Sequence, residues 1–391
     1  MQQTDRLVGF DFSRHNAEVK GVWAAHRAKK PTRVPIILGI GTRFYVFSHD
    51  ANPAAVSFRN YSEDVDVMFD CQLRFQRWNR FNLLQDAELG LPEKWMVGPD
   101  FQNYYEAAWF GCPIEYFENQ VPDTRPAFSD QPERVMEQGL PDPLGGLMNR
   151  AREYYEHMRA RAQRETFLDR PIDVHPLWCG IGADGIMTVA CNLFGPDFVC
   201  EAMAAEPARL QKLLAFITEA TIRRLTTWRT RCGLPVPCEE YAFADDSIAL
   251  ISTAMYREHV LPHHRRLCDA LSPPTSSRSI HLCGDATRHF KTLRDELNVR
   301  LFDTGFPVNF GTLRRELGPG VVIQGGPHIE FLRTAKPAAV REDVRRILES
   351  GVLDGGLFVL REGNNLAPGT PLENTEALYQ AGRDFGRLTD N

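Results

Sequence analysis

In the second half of the chain, short apolar runs alternate with longer stretches whose apolar residues recur at three- and four-residue spacing. The first pattern predicts buried strands and the second amphipathic helices. The runs are PIDVHPLWCG (171–180), VPCEEYAF (236–243), SRSIHLCG (277–284), VRLFDTG (299–305), VVIQGG (321–326) and GLFVLREG (356–363). The helical stretches are 203–231, 253–271, 286–297, 336–350 and 372–387. In the first of these, Leu210, Leu213, Leu214, Phe216 and Ile217 cluster on one side, and Gly233 follows the end. Pro337 and Gly351 mark the start and stop of 336–350. Nearer the N-terminus, RVPIILGIG (33–41) is a further buried-strand pattern that stops at glycine. Residues 60–85 and 130–166 are charge-rich and helix-like, whereas 86–130 is rich in aromatics, proline and glycine. The residues before 33 read as a helical arm.

Strands that alternate with helices imply βαβ units and a parallel sheet. The number of repeats favours closure over an open doubly wound sheet. The expected architecture is a single (β/α)8 TIM barrel over 33–391, with an N-terminal helical extension (1–32) and inserted loops and helices. No GxGxxG follows the first strand and no P-loop occurs, which argues against dinucleotide and nucleotide-triphosphate binding.

Composition narrows the class. The 391 residues are 43% hydrophobic and 25% charged, enough apolar material for a large core. The net charge of -6 carries no basic excess, so a nucleic-acid footprint is not expected. No stretch approaches the ~20 apolar residues of a membrane span, and the opening MQQTDRLVGF is polar rather than leader-like. The nine cysteines are odd in number, scattered and without a CxxC. They read as reduced thiols of a cytoplasmic protein.

In such a barrel the chemistry sits at the C-terminal ends of the strands. The residues there are Arg43, Glu239, Glu240, Asp245, Asp246, His281, Cys283, Asp303, His328, Glu362 and Asn364. His281 and Cys283 are the sharpest pair, because i and i+2 of a strand face one side. An imidazole and a thiol together suit Zn²⁺, with Glu240 as a third ligand and one position open. The plainer reading is a packed thiol beside a hydrogen-bonded histidine. Arg43 is a candidate anchor for a carboxylate. Asp245 and Asp246 are either site acids or caps. His328, after Gly325-Gly326-Pro327, Asp303, Glu362 and Asn364 are candidate substrate contacts. His263 and His264, beside Arg265 and Arg266, read as a solvated helix face.

The segments HLCGDAT (281–287) and EGNNLAPGTPLEN (362–374) resemble the uroporphyrinogen decarboxylase superfamily. So do 303–327, YEAAWFGCPIEY (105–116) and LISTAMYREHVLP (250–262). The resemblance covers most of 33–387 and implies the same (β/α)8 barrel, in a family whose members are commonly dimers or weak monomers. It has two branches. The metal-free decarboxylases carry RQAGRY on the first strand and a histidine in a late GHG turn. Here GIGTRFY (39–45) keeps only Arg43, and Asn364 stands where the histidine falls. The zinc methyltransferases move a methyl group between a corrinoid protein and a thiol or tetrahydrofolate, and carry HxC plus a late cysteine. His281 and Cys283 match, and Asn364 again replaces the third ligand, leaving Glu362 or Glu240 to substitute. Of the two, the resemblance is nearer the methyltransferases. It implies Zn²⁺, with Glu240 or Asp245 as acid where tetrahydrofolate accepts. The corrinoid would come from a partner protein, because no DxHxxG occurs in the chain. The alternatives are a metal-free decarboxylase or lyase that clamps a carboxylate with Arg43, and a non-catalytic binding barrel.

Overall fold

The computed structural model describes residues 5–175 and 182–388. The central element is a five-stranded parallel sheet whose strands lie in sequence order: Tyr241–Ala244, Arg278–Leu282, Val299–Thr304, Val322–Gly325 and Phe358–Leu360. All four junctions are parallel, and a helix follows each strand, among them Leu261–Leu271, Thr287–Leu297, Phe310–Leu317, Pro337–Ile347 and Leu372–Phe385. The helix Thr287–Leu297 shows the pattern at work. His289, Phe290, Leu293 and Leu297 form its buried stripe, and each of the large apolar members contributes roughly 1.5–3 kcal/mol by leaving water.

A second parallel pair, Trp95–Val97 with Arg170–Val174, lies outside that ladder. A tight hairpin joins Thr166–Phe167 to Arg170–Val174, with Leu168 and Asp169 both at positive φ, the geometry that matches strand twist in a two-residue turn. Extended segments continue both edges of the five-stranded sheet. At one edge, Leu360 N–H donates to Pro35 O and Ile37 N–H to Leu360 O. At the other, Ala244 N–H donates to Ala183 O. The 33–41 run therefore lies beside the last strand, held to it by a single bridge from Ile36 to Leu360 rather than by a full ladder.

Several boundaries depart from the sequence reading. The 203–231 helix is two helices, Pro196–Ala205 and Pro207–Arg231, because Pro207 supplies no amide to continue the first. Of 130–166, only Leu147–Ala162 is α-helical. The 236–243 strand begins at Tyr241, after Pro235 and Pro237. The 171–180 strand is observed as Arg170–Val174, and residues 176–181 lie outside the described ones. The N-terminal arm forms the helix Phe12–Arg27. It docks through Trp23, whose indole N–H donates to Asp86 O, and Asn16, which bonds Leu89 in both directions.

Register sets up the site. Ala244, His281, Asp303 and Gln324 are successive partners across four strands. Along each strand buried and half-buried positions alternate. Ser279 with His281, and Leu301 with Asp303, therefore face one cavity near the strand ends.

Candidate active site

The cavity encloses about 980 Å³. Its polar wall includes Arg43, Asp184, His281, Asp303, Gln324 and Arg361, and its apolar wall Phe75, Phe101, Tyr105 and Phe243. On its polar wall, His281 Nδ1 lies 2.7 Å from Asp303 Oδ2. Arg361 Nη1 donates to the same carboxylate oxygen at 2.9 Å. The other end of that guanidinium donates to Asn364 O (2.6 Å) and Glu362 Oε1 (3.2 Å). Glu362 Oε1 also accepts from Gly39 N at 2.7 Å. Only glycine fits there: a Cβ on Gly39 would stand 1.8 Å from Arg361 Nη2.

This chain of bonds orients the imidazole, and its Nε2 lies 3.0 Å from Cys283 Sγ. Cys283 N–H in turn donates to Asp246 Oδ1 at 2.6 Å. One ligand atom from each of Asp246, His281 and Cys283 falls within 4.8 Å of the others. An imidazole nitrogen, a thiol and a carboxylate form a donor set that zinc accepts. The Asp303 carboxylate behind His281 supplies the support that orients metal-bound histidines elsewhere.

The electrostatics match a site built for charge. Burial opposes protonation of His281, but Asp303 and Cys283 outweigh it and push the imidazole up to about 10. Burial raises the Cys283 thiol, with His281 pulling the other way. Burial also lifts Glu362 to about 7 against the pull of Arg361. Asp303 Oδ1, Arg361 Nε and Glu362 Oε2 are buried without a hydrogen-bond partner. Such spare valences are uncommon in a purely structural network.

Some residues anticipated from sequence are not brought here. Glu240 is exposed and precedes Tyr241–Ala244, at the opposite end of the strand from the site; it is no ligand of the group. Asp245 is fully buried and points away, binding Met187 N, Thr188 N, Thr188 Oγ1 and His264 Nε2. It caps the helix Ile186–Phe194 from outside. His328 is exposed, lies off the cavity wall, caps Ile329–Thr334 and packs on Phe306. His263 and His264 are buried rather than solvated. His281, Cys283, Asp303, Glu362 and the Asn364 carbonyl do converge, and Arg43 lines the cavity. Two members were not singled out as they deserved. From sequence Asp246 reads only as a site acid or a cap, because it opens the short helical turn Asp246–Leu250 just past the strand, where the period of two no longer applies. Arg361 closes an apolar run and gave no signal of its own.

The chain matches the uroporphyrinogen decarboxylase (URO-D) family over residues 19–385. The chain belongs to that family. Among its relatives, a uroporphyrinogen decarboxylase of Pelobacter propionicus is 33% identical over 35% of this chain and 39% of that protein. The alignment thus spans well under half of that relative. A methylated-thiol–coenzyme M methyltransferase of Methanosarcina mazei is 25% identical over 72% of this chain and 71% of its own length. The solved structure of a methyltransferase from Methanosarcina mazei superposes with a TM-score of 0.62 at 19% identity, covering 94% of this chain and 98% of that one. The likeness to that structure establishes the shared α/β fold of the uroporphyrinogen decarboxylase family.

Proposed function

We propose that this protein is a zinc-assisted methyltransferase. It moves a methyl group between a corrinoid carried by a partner protein and a thiol or tetrahydrofolate, in the mouth of a closed (β/α)8 barrel. One observation carries the reading: Asp246, His281 and Cys283 gather donor atoms within 4.8 Å at the strand ends. Asp246 then supplies the ligand that Asn364 does not. The long methyltransferase alignment supports the same reading.

The residues divide the work. Asp246, His281 and Cys283 would hold the metal, with a fourth position open toward the cavity. Zinc bound there supplies Lewis acidity, lowering the pKa of a thiol or polarising a heteroatom. Asp303 and Arg361 keep the His281 ring in one orientation, with Nε2 toward the ligand group. Loading requires that His281 and Cys283 give up their protons, so Asp303 must accept a hydrogen bond from a neutral ring at Nδ1. Arg43, on the cavity wall, meets an anionic end of substrate. The apolar walls exclude water from the remainder. The eight cysteines among the described residues are free thiols, which fits a reducing, cytoplasmic setting. No helix among the described residues is long and apolar enough to cross a membrane.

Zinc should be measured on protein purified without chelator, in wild type and in His281→Ala/Cys283→Ser, alongside methyl transfer from methylcobalamin to a thiol. About one zinc per chain, lost with activity in the double variant, is expected. Wild type that takes up no zinc, even when zinc is offered during folding, overturns the reading. The runner-up, metal-free decarboxylation with Arg43 and Arg361 on substrate carboxylates, rests on the local 33% identity and the two arginines on the cavity wall.

A further inference from the structure

Asp184 lines the same cavity as His281 and Arg361 but belongs to none of the bonds described above. Its main chain is clamped. Asp184 N–H donates to Glu106 Oε2 at 2.6 Å. The other oxygen of Glu106 takes Arg224 Nη2 at 2.5 Å, in an ion pair with 0% and 1% exposed side chains. Arg224 also donates to Gly182 O at 2.9 Å. Next in the chain, Gly185 packs so closely that a Cβ would stand 2.2 Å from Ala244 O. A buried Arg–Glu pair on one side and the Tyr241–Ala244 strand on the other thus fix residues 182–185. Nothing in that arrangement engages the Asp184 carboxyl: it has no hydrogen-bond partner among the described residues, and it is only half-buried, on the cavity side.

The charges around it are mostly of its own sign. Glu106, Asp246 and Asp245 are its acidic neighbours, and Arg224, a cation that acts on it, is already engaged by Glu106. Burial first, then Glu106, raises the Asp184 carboxyl well above the ordinary carboxylate range. An unengaged carboxyl whose surroundings favour the protonated form, held rigidly on the wall of a reaction cavity, is equipped to give a proton away.

We propose that Asp184 is the proton donor of the methyl transfer, acting on the heteroatom that parts from the methyl group. This rests on the methyltransferase reading and gives it a direction: the site demethylates a methyl ether or thioether, with the apolar body of the substrate against Phe75, Phe101 and Phe243. In the step, the Co(I) of the corrinoid partner attacks the methyl carbon and becomes methyl-Co(III). The bond from carbon to oxygen or sulfur breaks, and its electron pair stays on the heteroatom. That atom takes the proton of Asp184 and leaves as a neutral alcohol or thiol. Water then reprotonates the carboxylate. A site working only toward a thiol acceptor releases a proton and has no use for an acid at this place.

Two measurements on the full, zinc-loaded chain test this. The first follows methylcobalamin formation from cob(I)alamin with methyl phenyl ethers graded by the acidity of the phenol released. Asp184→Asn should slow the poorest leaving groups by about 100-fold or more and the nitrophenyl ether far less, with Asp184→Glu recovering part of the rate. A loss that is uniform across the series, or no loss, overturns the proposal. So does a wild type that demethylates no ether or thioether while still passing methyl from methylcobalamin to a thiol, an outcome that leaves the methyltransferase reading standing. The second is the infrared difference between wild type and Asp184→Asn at neutral pH. A protonated carboxyl carbonyl band present only in wild type is expected, and its absence overturns the proposal whatever the kinetics show.

Discussion

Two acidic clusters meet at Asp245 and Asp246, which are adjacent in the chain. Asp245 accepts hydrogen bonds from Met187 N, Thr188 N, Thr188 Oγ1 and His264, and Tyr256 closes the far side of that imidazole at 3.0 Å. Asp245, His264 and Tyr256 are fully buried. Asp246 turns the other way, toward His281 and Cys283, in a neighbourhood where Asp303, Arg361 and Glu362 each keep a buried polar atom without a partner. In the first cluster folding satisfies every carboxylate contact that geometry offers. In the second it leaves valences over. Saturation marks a group that holds the fold, and unspent hydrogen-bonding capacity marks one kept for a ligand.

The largest expected effect breaks the saturated side. Asp245→Ala leaves two buried amides and His264 without their acceptor, and should cost roughly 3–5 kcal/mol of stability. Denaturant unfolding measures the loss. Zinc content in the folded fraction should stay that of wild type. An unchanged stability with zinc lost would mean the two roles are reversed.

Glu362 sharpens the other side, because Arg361 and Gly39 N compensate its burial only in part. Its folded-state value is about 7, against 4.5 for the free group. Below pH 4.5 both folded and unfolded chains carry the proton and nothing is lost. Between 4.5 and 7 the unfolded chain releases it first, so stability falls as pH rises. The cost is complete above 7, at roughly 3 kcal/mol. Glu362→Gln carries no such proton. Relative to wild type it should gain about that much between pH 4 and pH 8, read from unfolding midpoints at the two pH values. An equal difference at both would show that Glu362 is not held protonated.

Asp246→Asn comes next. It removes a charged ligand but keeps the shape and the acceptor for Cys283 N–H, and should weaken zinc binding by about 100-fold with little change in folding. Competition with a metal indicator measures it. Retained affinity would point to a carboxylate other than Asp246.

How much of this was legible depended on distance along the chain. The parallel strands of the second half were readable because each is a short apolar run that ends near a glycine. The period of two then put His281 and Cys283 on one face without any tertiary knowledge. The same period does not reach Asp246, which opens the turn Asp246–Leu250 after the strand ends at Ala244. Starting the strand at Val236 instead drew attention to Glu239 and Glu240, at the wrong end. His264 looked solvated beside two arginines, yet Val260, His264, Leu267 and Leu271 share one helical stripe, and all are buried. The ties that make Asp184 a cavity residue were out of reach. They join it to Glu106, 78 residues away, and join Glu106 to Arg224, 118 residues away. No local pattern reports a contact of that separation. Family resemblance matched the HxC pair already marked by spacing but offered Glu240 and Glu362 for the missing ligand, because a motif marks where a cysteine was lost and not what took its place.

Asp303→Asn gives the smallest net effect, at mildly alkaline pH, because two consequences oppose each other there. Asp303 orients His281 for a metal, and losing that support should cost 10- to 100-fold in zinc affinity. Asp303 also holds a proton on His281, whose value stands at about 10 without metal, and that proton competes with zinc. The two separate with pH. In wild type, affinity should climb as pH rises toward 10, as the competing proton is given up. In the variant the climb should end at lower pH, since the imidazole loses its proton sooner. Because the proton costs wild type about 10-fold in affinity for each pH unit below 10, it outweighs the orienting loss at neutral pH, where the variant should bind zinc more tightly. The curves cross at mildly alkaline pH, and above pH 10 only the orienting role remains and wild type binds more tightly. Titrations with a metal indicator at neutral pH and above pH 10 resolve the pair of effects. A variant that binds zinc as tightly as wild type above pH 10 would mean that Asp303 only tunes the proton on His281 and does not hold the ring for the metal.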